Sequence, residues 1–238
     1  MLQISEKHLE KFRQIEQHFR SGTKVPEKNK WQSLKNNDIW LHIFAQVMVV
    51  QGSKPYEKFD KRVDLKRKVA FDSLMEVEDY REVKNRVNEV LRAVGTRYAS
   101  SDISKCRKTE ALAHNLKVLK GFEGGPKGLL RELSRFSSDK QKIDCLMHSL
   151  KYIKNKGARD LLMELGLVRN AIAFDTRIRN VLHKIGIETP ERFETSSKLY
   201  DEVENDIISK ICVPLGISGI ELDRMLYQNY EEIMKMKL

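Results

Sequence analysis

The sequence predicts an all-α fold, and three observations lead there. Apolar residues recur at i, i+3, i+4 and i+7 in one segment after another, the spacing that lines one face of a helix. Five prolines and twelve glycines interrupt a chain of 238 residues, which leaves room for long uninterrupted helices. Alternating strand patterns are scarce, and the β-branched run Val47, Val49 and Val50 continues a helical pattern and reads as buried helix.

Helices are expected over about 5–20, 36–51, 55–72, 75–94, 106–120, 127–136, 139–150, 157–166, 176–186, 198–213 and 218–235. The first is amphipathic and lacks the apolar centre of a secretory signal. The second carries the longest apolar run, Ile43 to Val50, interrupted by Gln46 and far short of the roughly 20 residues that span a bilayer. In the third, Lys61, Arg62, Lys66, Arg67 and Lys68 form a basic run that reads as a solvated helix face. Gly, Thr and Ser cluster between Gly95 and Ser104 before the fifth helix. A second irregular stretch, Gly121–Gly128, places Pro126 where the first turn of a helix accepts it. Ser138 followed by Gln141 suits a capping box for 139–150, whose apolar stripe is Ile143, Leu146, Met147 and Leu150. Asp175 is suited to cap the helix striped by Ile178, Val181, Leu182 and Ile185. Neither irregular stretch reads as a flexible linker, so the expectation is a single domain, 1–238, of two helical lobes with a cleft. One lobe spans approximately 105–186, and the other approximately 1–104 plus 187–238.

Lys and Arg total 44 against 34 acidic residues, a formal charge of +10, which fits a polyanionic partner more readily than a membrane. Cys106, Cys145 and Cys212 are odd in number and not in CxxC spacing. They read as thiols in a reducing compartment, against a disulfide framework, a zinc site or a four-cysteine iron–sulfur cluster. The six histidines show no metal-ligand spacing, Gly124–Gly128 lacks the spacing of a phosphate-binding P-loop, and no serine-nucleophile motif occurs.

The most informative stretch runs from Leu150 to Ile178. A lysine opens one short helix and an aspartate opens the next, and Lys151, Lys154, Lys156 and Arg159 crowd the lysine end. An amine held among cations near one carboxylate is equipment for amine-nucleophile chemistry on a polyanion. Neighbouring cations and partial burial are expected to lower the lysine pKa.

From Lys108 to Ile185 the order is helix, loop, helix, helix, basic hairpin, helix, aspartate turn, helix. This order resembles the helix-hairpin-helix/Gly-Pro-Asp superfamily of DNA glycosylases, with the hairpin motif near 143–166. The family hairpin, Leu-Pro-Gly-Val-Gly-x-Lys-x-Ala, is matched by Leu150, Ile153, Lys156 and Ala158, and its Ile-Ala-x-Asp-Thr-x-Ile segment by Ile172, Ala173, Asp175, Thr176 and Ile178. Gln46, with Pro55, Tyr56 and Phe59, resembles the helix that carries a glutamine toward the lesion. The chain departs from the pattern at Tyr152 and Lys154, which replace both hairpin glycines and so remove the close backbone approach to a phosphate. Lys151 or Lys154 would then supply the contact. A shifted register would put Arg159 at the lysine position, and arginine cannot do the amine chemistry. The cluster cysteines of endonuclease III are also absent.

The resemblance implies a monomeric, intracellular base-excision-repair enzyme (cytoplasm/nucleoid or nucleus) acting on double-stranded DNA with a damaged base. It would be a glycosylase and abasic-site lyase needing no cofactor or metal, with an oxidised base, 8-oxoguanine first, as substrate. Lys156 is the implied nucleophile and Asp175 its electrostatic and proton-transfer partner, while Gln46, Lys151, Lys154 and Arg159 would contact DNA. The rival readings are a non-catalytic helix-hairpin-helix DNA-binding protein and a basic helical interaction module.

Overall fold

The computed structural model describes residues 2–50, 52 and 54–238, and no strand occurs among them. The helices are α1 (Glu6–Phe19), α2 (Asn36–Met48), α3 (Lys54–Asp60), α4 (Val63–Lys68), α5 (Phe71–Met75), α6 (Tyr80–Ala93), α7 (Arg107–Lys120), α8 (Pro126–Ser134) and α9 (Asp139–Ser149). They continue as α10 (Asn155–Glu164), α11 (Thr176–Ile185), α12 (Ser197–Ile207), α13 (Val213–Leu215), α14 (Gly219–Gln228) and α15 (Tyr230–Ile233). The expected end of the second helix, Gln51, lies outside the described residues; α2 closes at Met48 with Val49 as its cap.

Three expected helices are subdivided. The segment expected at 55–72 forms α3, α4 and the start of α5; α4 parts from α5 where the Val69 carbonyl accepts the Trp40 indole N–H at 2.7 Å and Ala70 turns to an extended conformation. The segment at 198–213 widens into a π turn over Ile208–Cys212, just before Pro214, which has no N–H to offer the carbonyl four residues back. The last helix breaks at Asn229, whose side-chain amide donates to the Met225 carbonyl at 2.9 Å.

The chain forms two compact units, residues 29–154 and residues 1–28 with 155–238. These bounds differ from the expected lobes at 105–186 and 1–104 plus 187–238. Helix α7 packs on α6, α2 and α8, so residues 105–154 stay with the segment before them. Helix α11 packs on α14 and α15, and α1 joins it through Lys11, whose amine donates to the Ile185 carbonyl at 2.8 Å.

In the 29–154 unit, α2 buries one side: Ile39, Trp40, Ile43, Phe44, Val47 and Met48 lie within the core. Phe44 stacks on Phe59 with centroids 5.4 Å apart, and Trp40 meets Phe44 edge-on. Trp31, Trp40 and Phe44 are thus core side chains, whereas Tyr56 is exposed. The buried Lys108 amine closes the end of α2 by donating to the Met48 and Val50 carbonyls at 3.0 and 2.6 Å, a favourable place for a cation. Burial, with Arg97 nearby, pushes the Lys108 pKa down.

The hairpin after α9 is fixed by one residue. Asn115, fully buried, accepts the Lys151 backbone N–H at 2.7 Å and donates to the Lys151 carbonyl at 2.9 Å. Tyr152 follows with φ +64°, the left-handed conformation that glycine adopts without strain. The turn expected of a glycine is therefore made by a tyrosine.

Candidate active site

The candidate site is built within the unit of residues 1–28 and 155–238. Its frame is the segment leading into α11. Three successive backbone N–H groups are each held by a buried side chain: Ile172 by Glu204 at 2.7 Å, Ala173 by Asp223 at 2.7 Å and Phe174 by the Tyr200 hydroxyl at 2.9 Å. Tyr200 also donates to the Ile172 carbonyl at 2.9 Å. Gly219 lets the start of α14 rest on this segment, since a Cβ there would lie 2.8 Å from the Ala171 nitrogen and oxygen.

Asp175 emerges from that frame as the N-cap of α11, its Oδ1 accepting the Ile178 N–H at 2.9 Å, and stays half-exposed. Lys156 lies in the first turn of α10, and its Nζ donates to Asp160 Oδ2 at 2.8 Å. The Lys156 side chain keeps 39% of its surface exposed. Burial alone would lower the amine pKa, but the charge and hydrogen bond of Asp160, with Asp175 and Asp223 behind it, outweigh burial and raise it above the ordinary lysine value. The expected lowering by cations is thus corrected: the charges acting on Lys156 are carboxylates.

Arg159 is also corrected. As a DNA contact it would need to face outward, yet it is 1% exposed. Its Nε and Nη2 engage Glu204 at 2.8–2.9 Å, Nη2 reaches Asp201 at 2.6 Å, and its guanidinium lies 4.0 Å from the Tyr200 ring centroid. Arg159 belongs to the frame beneath Asp175. Burial raises the Glu204 pKa despite this partner.

Lys151 and Lys154 are exposed at the hairpin end of the 29–154 unit, and Gln46 is half-buried on α2 of that unit. Lys156 and Asp175 are the two expected residues whose charges act on one another within one unit.

Sequence reasoning missed the rest of the cluster. Asp160 stands four residues after Lys156, a spacing that places both on one helix face and that was readable. Asp223 and Arg224 come from α14, and no local pattern links them to Lys156. Arg224 donates through Nη1 and Nη2 to Asp160 Oδ1 at 3.2 Å each, and lies 3.5 Å from Glu164 and from Asp223. Asp223 is 1% exposed; burial, with the field of Asp160, lifts its pKa to about 7 against the pull of Arg224, the Ala173 N–H and Lys156. One turn further along α14, Tyr227 is exposed, with the Arg177 guanidinium 4.7 Å from its ring centroid. Among the described residues, no group of three or more His, Cys, Asp or Glu is arranged to hold a metal ion.

The lysine at the head of α10 and the aspartate capping α11 thus sit on an all-helical fold. Solved structures share it. The chain is similar to the 8-oxoguanine DNA glycosylase of Methanocaldococcus jannaschii (TM-score 0.65, 16% identity, 97% of this chain and 95% of that one). It is also similar to the 8-oxoguanine DNA glycosylase of Thermotoga maritima (TM-score 0.63, 21% identity, 93% of this chain and 95% of that one). A third likeness is to the M. jannaschii 8-oxoguanine glycosylase/lyase in complex with a 15mer DNA containing 8-oxoguanine (TM-score 0.64, 15% identity, 95% of this chain and 99% of that one). At these identities the likeness is one of fold. No protein-family model matches the sequence, and neither does any curated protein.

Proposed function

We propose that this chain is an intracellular DNA-repair glycosylase with abasic-site lyase activity. It acts as a monomer on double-stranded DNA, and 8-oxoguanine is the first substrate to test. What supports the reading is that Lys156 and Asp175 head successive helices of one unit with their charges acting on one another, in a fold shared with 8-oxoguanine glycosylases.

The neutral Lys156 amine attacks C1′ of the damaged nucleotide, and the bond from C1′ to the base breaks with its electron pair leaving on the base. Of the three ammonium protons, one ends on the departed base, one on the ring oxygen as the sugar opens, and one remains on the protonated imine. Asp175, anchored at its cap, supports the positive charge that develops at C1′. Loss of a C2′ proton then expels the 3′ phosphate by β-elimination. Tyr227 offers an exposed ring beside the cluster for stacking on an extruded base. Lys151 and Lys154 offer charge to the backbone.

Borohydride trapping on 8-oxoguanine and abasic duplexes tests the reading. The wild type is expected to form a covalent adduct and Lys156→Ala none. Salt-dependent duplex binding without any adduct would sink the lyase assignment. A cleavage panel with 8-oxoguanine, thymine glycol, uracil and alkylpurine then fixes the base.

A further inference from the structure

We propose that Asp160, clamped by Arg224, is a positioning residue that tethers the Lys156 amine and accepts its proton as the amine attacks. The proton step rests on the lyase reading above.

The geometry assigns the two oxygens of Asp160 to two different cations. Oδ2 receives Lys156 Nζ at 2.8 Å, and Oδ1 receives both terminal nitrogens of Arg224 at 3.2 Å. A carboxylate held on both sides cannot swing away, so the amine is aimed as well as charged. The Asp160 and Arg224 side chains are 20% and 13% exposed, whereas Lys156 keeps its outer face open. The charged groups acting on Lys156 are Asp160, Asp175 from the head of α11 and Asp223 from α14, while Arg224 holds Asp160 and itself faces Glu164. Carboxylates predominate, and the resting amine is an ammonium without a lone pair for attack.

A nucleotide covering the open face removes water from the pair. Desolvation penalises two separated charges and favours the neutral amine and acid. The proton moves from Nζ to Oδ2 along the existing hydrogen bond. The freed lone pair forms the N–C1′ bond as the C1′–base bond breaks. The proton held by Asp160 is relayed through solvent to the departed base, so Asp160 returns to the carboxylate held by Arg224.

Two variants of the full chain should shift the same titration in opposite directions. Competitive labelling of the Lys156 amine across pH, read by peptide mass spectrometry, reports its midpoint without requiring catalysis. Borohydride trapping on a preformed abasic duplex gives the matching reactivity profile. Asp160→Asn is expected to lower both midpoints by about one pH unit, Arg224→Gln to raise both, and Asp160→Glu to bring them back toward wild type. An unmoved labelling midpoint in Asp160→Asn, or movement of both variants in one direction, overturns the tether. If labelling shifts as expected but the wild type forms no adduct at any pH, the tether stands, and the lyase reading and its proton step fall.

Discussion

Replacing Arg159 with methionine removes the cation beneath Asp175 while keeping most of the side-chain volume. Glu204 is then left with 8% of its side chain exposed and, among the described residues, the Ile172 N–H as the remaining hydrogen-bond donor to its side chain. Breaking a buried ion pair from one side costs about 3–5 kcal/mol, and for a chain of this length each kcal/mol moves the melting temperature by roughly 2–4 °C. A fall of roughly 6–20 °C is therefore expected by differential scanning calorimetry at pH 7. Adding Glu204→Gln should recover part of it, because the amide oxygen still accepts from Ile172 without a buried charge. The pH dependence has a definite sign. Burial already raises the Glu204 pKa, and without Arg159 it rises further, so the variant's folded state binds a proton more readily than its unfolded state. Stability from such a group is greatest at low pH and falls as pH rises above the unfolded value. The deficit relative to wild type should thus shrink between pH 7 and pH 5. A loss under about 1 kcal/mol, or no recovery in the double variant, would refute the frame as described.

Asp175→Asn should cap α11 as well as aspartate does, with stability unchanged within about 1 kcal/mol, while base excision and trapping collapse; Asp175→Ala should lose both. Asn115→Ala strips the Lys151 backbone of two partners and should cost about 2–3 kcal/mol, with faster hydrogen exchange at the Lys151 amide. Tyr152→Gly relieves a left-handed side chain worth about 1–2 kcal/mol and adds glycine's unfolded-state entropy of about 0.5–1 kcal/mol. Chemical denaturation should show little net change, and a large loss would mean that the phenol itself holds the hairpin.

The helices were legible because apolar periodicity is a local property, and the capping box at Ser138 and Gln141 and the cap at Asp175 formed where their residue types point. Subdivision at Val69 depends on a hydrogen bond from Trp40, 29 residues away in sequence, which no window of sequence contains. The same limit explains the site. Lys156 and Asp175 stand out as helix-opening residues, whereas Arg159 looked like another surface cation because Glu204, its partner, lies 45 residues downstream. The expected direction of the Lys156 pKa failed for that reason too. Sequence neighbours are cations, but the spatial neighbours from α10, α11 and α14 are acids.

Tyr152 bears on how chains of this kind are found. What the hairpin demands at that position is a backbone angle, and Asn115 secures the preceding residue so that a tyrosine can supply it. A pattern spelled in glycines is a proxy for that angle, and a chain that meets the requirement by other means is invisible to it. A search on torsion angles, with an amide bracketing the residue before the turn, would recover such chains where letter-by-letter matching passes them over.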